Sequence, residues 1–154
     1  MRRFRLLRSP FSWVAPFLIS LALLTACDDP GSPEQQVRAV IASMETAAEA
    51  RDVGDLMEHI SASYRDAQGQ DRAEASRYAR GYFIANQSVH LLTRIESLEF
   101  PAPDEARVKL QVGMAGRAGE PGAAGLTTDL YNFDLALIRE GDEWKISYAD
   151  WHAH

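Results

Sequence analysis

The period of the apolar positions changes near Gln87. Before it, Val37, Val40, Ile41 and Met44 recur at helical spacing, and Ala47 and Ala48 carry the stripe on to about Ala50. Ser32-Pro33-Glu34-Gln35 supplies an N-cap serine, a proline at the first helical position and a glutamine at the third, so a helix is predicted to start there. Asp52 predicts a second, shorter helix carrying Val53, Leu56, Met57 and Ile60, with Gly54 weakening its first turn. Asp71-Arg72-Ala73-Glu74 repeats the capping pattern, and Ala75, Tyr78, Ala79, Tyr82 and Phe83 then fall on one face of a third helix.

After Gln87 the alternation is strand-like. One segment runs from about His90 to Phe100 and is expected to stop at Pro101-Ala102-Pro103-Asp104, because proline cannot donate to a sheet ladder. A second alternates through Val108, Leu110, Val112 and Met114. A third, from about Thr127 to Arg139, places Tyr131, Phe133, Leu135 and Leu137 on one face. Glu140-Gly141-Asp142 turns it into a last strand that aligns Trp144, Ile146 and Tyr148. The Gly- and Ala-rich stretch from Gly113 to Gly125 is predicted to be a mobile loop. Period-two alternation implies a sheet with one buried face. Three helices followed by a meander therefore predict an α+β domain, with N-terminal helices packed on a strongly curved antiparallel sheet.

The first residues obey different rules. Arg2, Arg3, Arg5 and Arg8 precede an almost uncharged run from Ser9 to Ala26, a charged region followed by an apolar one, as in an export signal. Pro10 and Pro16 in or beside that run weigh against a permanent membrane span. Leu24-Thr25-Ala26-Cys27 resembles the lipobox of bacterial lipoproteins, which implies a signal peptide over 1–26, a lipidated Cys27 with a short spacer over 27–33, and one folded domain over 34–154. Cys27 is the sole cysteine, so no intramolecular disulfide competes for it. The resemblance implies a diacylglycerol on the thiol, which would hold the protein on the membrane, facing the periplasm. Asp28 resembles the inner-membrane retention signal of enterobacterial lipoproteins.

Removing that leader sharpens the charge. Four of the 16 basic residues leave and all 22 acidic residues stay, so the remainder carries 12 against 22, a net charge of −10. A nucleic-acid partner needs clustered positive charge, and that class is excluded.

The order of elements carries a second resemblance. The opening helix, the Ala50-Arg51-Asp52 turn, the short helix with Leu56, the Tyr64-Arg65-Asp66-Ala67-Gln68-Gly69 segment, the third helix and the closing Trp144-Lys145-Ile146 strand resemble the nuclear transport factor 2-like superfamily. That superfamily includes ketosteroid isomerases and many cone-shaped binding domains. The resemblance implies a pocket between sheet and helices. It places Asp66 where the isomerases keep their general base, in the strand and turn after the second helix. Met44, however, stands where their oxyanion-hole tyrosine is found, and the partner acid falls near Phe133 or Asp134. Enolate chemistry needs a base together with donors for the developing oxyanion, so this constellation is incomplete. Asp66 has an alternative role as a turn residue bonding the backbone ahead of Gly69.

Met44, Tyr64, Tyr82, Phe83, Tyr131, Phe133, Tyr148 and Trp151 are the candidate pocket residues, their aromatic faces offering apolar surface and their tips orientation. Tyr82 and Phe83 also suit the core face of the third helix. His59 and His90 lack partners at a recognisable spacing, and His152 and His154 fall short of a zinc ligand set. No phosphate loop, nucleophile elbow or paired-carboxylate motif is present. No metal or cofactor is expected. The expected function is a membrane-anchored, noncatalytic pocket for a small, partly apolar ligand or a protein partner. Two alternatives stay open: an isomerase or hydratase using Asp66 as base, and a dimeric interaction module using the outer sheet face.

Overall fold

The computed structural model describes residues 31–118 and 126–154. The expectations for Cys27, the signal peptide and most of the spacer fall outside them.

Helix α1, Pro33–Glu49, begins as its sequence requires. Ser32 Oγ accepts from the Gln35 N–H and the Gln35 side chain returns the bond to the Ser32 N–H, satisfying two amides that a helix start leaves without partners. Asp52 caps α2, Val53–Glu58. This helix ends two residues before Ile60, which opens strand β1, Ile60–Asp66, instead of closing the helix. Asp71 and Glu74 form a reciprocal capping box on α3, Arg72–Ala85. Four long strands follow: β2 Asn86–Ala102, β3 Glu105–Ala118, β4 Leu126–Glu140 and β5 Glu143–Ala153.

The sheet order is β1-β5-β4-β3-β2. β2 to β5 form the predicted antiparallel meander, whereas β1 adds parallel to β5, so the sheet is mixed. All three helices pack on the inner face. Three expectations are corrected here. β2 continues through Pro101 to Ala102, because it is an edge strand and Pro101 sits where its register with β3 shifts. Residues 113–118 belong to β3 and not to a loop, since strands on both sides supply their pairing and override the poor strand propensity of Gly and Ala. Tyr148 leaves the alignment of Trp144 and Ile146. Ile146 pairs with Leu137 and Tyr148 with the adjacent Ala136, so Ser147 is an extra residue and the alternation reverses after it. Such a bulge turns every later side chain to the opposite face.

The core fills the closed end of the sheet. Leu137 and Val37 are fully buried, with Val108, Trp144 and Ile146 around them. Each such aliphatic side chain contributes about 1.5–3 kcal/mol on removal from water. The Trp144 Nε1–H donates to Gln36 Oε1 at 3.1 Å, and the same oxygen accepts from Arg139, whose guanidinium lies 4.8 Å from the Trp144 ring centroid. Phe100 meets the ring edge to face.

Arg51 joins the helices to one another. It ends α1 in the left-handed region, φ 59°, and its guanidinium donates twice to Phe83 O, at 3.1 and 2.6 Å, and once to Gln87 O at 3.1 Å. Those bonds tie the end of α3 and the start of β2 to the α1–α2 turn. Arg51→Ala loses them and keeps the backbone strain, so unfolding free energy from urea denaturation is expected to fall by about 1–3 kcal/mol. Arg51→Gly loses the same bonds but relaxes the strain, and is expected to be the milder change by about 1 kcal/mol.

Candidate functional site

Beyond the core the helices and the sheet separate, leaving a cavity of about 300 Å³. That lies at the lower end of the range for small-molecule sites. Its floor is the inner sheet face, with Leu110, Leu135 and Ile146 among the buried residues that line it. Helix α1 contributes Ile41, Met44, Glu45 and Ala48, one face at helical spacing. Helix α3 contributes Ala75, Tyr78, Ala79, Tyr82 and Phe83. Of these only Phe83 is buried, and Tyr78 is 66% exposed, so α3 covers the cavity without closing it.

The structure gathers seven of the eight candidate pocket residues around this space: Met44, Tyr64, Tyr82, Phe83, Tyr131, Phe133 and Trp151. Phe133 stacks on Trp151 with centroids 6.2 Å apart, and Tyr131 tilts against Phe133 at 6.4 Å. Tyr148 is the exception. The bulge at Ser147 sends it to the outer face, into a shallow depression with Arg107, Lys109 and Asp134. The same bulge turns Trp151 inward.

Polar groups in the cavity are sparse, and the tyrosines supply most of them. Burial, then the nearby charges of Asp66 and the Tyr148 phenol, push the Tyr64 hydroxyl up to about 12. Burial is also the first cause of the upward shift at Tyr82 and Tyr131, and Asp129 adds to both. All three are neutral phenols at physiological pH, able to donate or accept a hydrogen bond. Among the described residues no hydrogen bond occupies their hydroxyls.

Asp66 is 4% exposed and is not among the residues lining the cavity, although Tyr64 two positions earlier and its cross-strand partner Ala149 are. Its Oδ1 accepts from the Gln68 and Gln70 N–H groups at 2.9 and 2.8 Å, and its own backbone N–H donates to Gln70 O. Gly69, at φ 82°, completes the turn that delivers the chain to the Asp71 cap. Oδ2 is buried with no hydrogen-bond partner.

Glu45 was not singled out by the sequence, yet it follows Ile41 by one helical turn and borders Met44, which puts it on the cavity face. Gln70 and Thr93 also line the space. Among the described residues no three His, Cys, Asp or Glu side chains group as metal ligands.

No protein-family model and no curated protein matches the sequence. Solved structures do resemble it. A candidate dehydratase of the NTF2-like family from Streptomyces avermitilis is 15% identical, with TM-score 0.68, over 79% of this chain and 96% of that one. A ketosteroid isomerase-like protein from Erwinia carotovora atroseptica is 12% identical, with TM-score 0.64, over 77% and 94%. Bd1075 of Bdellovibrio bacteriovorus is 13% identical, with TM-score 0.63, over 78% of this chain but 41% of that one, so the chain spans less than half its length. The fold is therefore that of the NTF2-like cone proteins, helices over one face of a curved sheet.

The turn role of Asp66 is measurable. Asp66→Ala removes an acceptor for two amides and is expected to cost about 2–4 kcal/mol in urea unfolding. Asp66→Asn keeps Oδ1 and is expected to lose clearly less. Equal losses would rule the turn role out.

Proposed function

We propose that this chain is a membrane-anchored envelope lipoprotein whose NTF2-like domain binds a small, largely apolar molecule in the cavity, without catalysing its conversion. The observation that carries the binding reading is the cavity itself: an open space of about 300 Å³ lined by aliphatic and aromatic side chains, with a few phenols that no group among the described residues engages. A cavity of this make-up gives affinity through apolar burial and orientation through its few polar tips. Against catalysis stands Asp66. Its Oδ1 holds a turn, and Met44 occupies the α1 position where an oxyanion donor is expected from the resemblance.

A second reading keeps Asp66 as a base through Oδ2, the one buried side-chain oxygen among the described residues without a partner. Native mass spectrometry of the full chain, released gently from its own membrane, separates the two. A retained small molecule that survives Asp66→Asn is the expected result. Retention lost in a folded Asp66→Asn variant would favour the base, and no bound mass in either protein would count against the pocket.

The outer sheet face is the basis for the interaction reading, with partners in the envelope or a second copy. It bears Leu92, Leu130 and Tyr148, but also the Lys109–Asp134 ion pair at 3.2 Å and Arg107. That mixture suits solvent better than a large apolar interface.

Anchoring rests on Leu24-Thr25-Ala26-Cys27 and the charged and apolar regions before it. Growth of the host with an alkyne-tagged palmitate is expected to label the protein, and Cys27→Ser to abolish labelling and leave a precursor longer by the uncleaved leader. Label persisting in Cys27→Ser would overturn the assignment.

A further inference from the structure

The described cavity wall carries a single charged side chain. Among the described lining residues Glu45 is the sole carboxylate, and lysine, arginine and histidine are absent. Glu45 is half-buried and lines the cavity beside Met44 and Ala48, and among the described residues no hydrogen bond or ion pair engages it. Asp129 stands two residues before Tyr131 on the same face of β4, also without an ion pair among the described residues. Its charge reaches both Tyr82 and Tyr131.

An organic anion would find no counter-charge here. Protein anion sites draw on Arg, Lys or the free amides of a helix start, and the α3 start is already capped by Asp71. A cation finds the reverse. A carboxylate left unpaired in an apolar wall costs free energy that an ammonium group would offset. The rings of Tyr78, Tyr82, Tyr131 and Trp151 add negative π-faces, the arrangement that recognises amines and quaternary ammonium groups.

Resting on the pocket reading above, we infer that the cavity takes a cationic amphiphile: an apolar body with an amine or quaternary ammonium end, the charge directed to Glu45 and the aromatic rim. The apolar body lies over Leu110, Leu135 and Ile146 and supplies most of the affinity. The charge supplies the choice between ligands of equal size.

A matched series tests this without knowledge of the natural ligand. The full-length chain in nanodiscs of an uncharged digalactosyl lipid, which carries no ammonium group, is titrated calorimetrically with 4-phenylbutylamine, 4-phenylbutan-1-ol and 4-phenylbutyrate, with empty nanodiscs as the blank. The amine is expected to bind at least about tenfold tighter than the alcohol, and the carboxylate to bind weakest. Glu45→Gln, with its thermal midpoint checked, is expected to remove most of the amine's advantage while leaving the alcohol's affinity within about twofold. An alcohol or carboxylate that binds as tightly as the amine would overturn the inference and leave the pocket standing. So would an amine preference that survives Glu45→Gln unchanged. Binding by none of the three would instead overturn the pocket reading on which the inference rests.

Discussion

A sheet of long strands presents more inner surface than these helices cover. β2 has 17 residues, an extended length of about 56 Å before curvature, whereas the 17 residues of α1 span about 26 Å. Helix α1 packs on the sheet through Val37, and there Val37, Leu137 and Trp144 lose nearly all contact with water. What remains of the inner face must be covered by α2 and α3. The six residues of α2 supply only Val53, Leu56 and Met57, and α3 buries only Phe83. The cavity is what that mismatch leaves. It is held open by ties at its edges: Arg51 fastens the end of α3, and Asp66 shapes the turn that starts it.

The helices were legible because each carries its own punctuation. Ser32, Asp52 and Asp71 are local signals that act through bonds three residues away, and a local signal survives in a linear sequence. The departures arise where one strand answers to another. Nothing near Ser147 announces a bulge, because it is a property of the β4–β5 pairing and appears only when Leu137 and Ala136 take Ile146 and Tyr148 as partners. The strand character of residues 113–118 likewise comes from neighbours on both sides. Pro101 reads as a stop in the sequence for the same reason, since proline is excluded from interior strands and tolerated on an edge, and edge position is a fact of topology.

The candidate site shows the same division. Met44, Tyr82 and Phe83 followed from helical spacing, and Tyr131 and Phe133 from strand alternation, because each set faces the interior in its own element. Glu45 escaped notice because a charged residue beside an apolar stripe normally lies on the solvated edge of a helix. It becomes a cavity residue only because α1 overhangs a gap rather than a filled core. Asp66 carries the opposite lesson. Its burial suggests chemistry, but two backbone amides account for one of its oxygens, and only Oδ2 is left without an assigned task.

Apolar walls bind well and discriminate poorly. Each methylene they bury adds about 0.8 kcal/mol whichever molecule carries it, so a cavity floored by Leu110, Leu135 and Ile146 accepts many bodies of similar size. Discrimination comes from buried polar groups, because a ligand that leaves one unpaired forfeits its desolvation cost. In this cavity such groups are few and unequal. The phenols of Tyr64, Tyr82 and Tyr131 are held neutral and can turn to donate or accept, so each adapts to either kind of partner. A carboxylate only accepts, and its charge favours one kind of guest over the others. The choice among molecules of equal shape therefore falls to Glu45, the lining group with the least freedom to adapt.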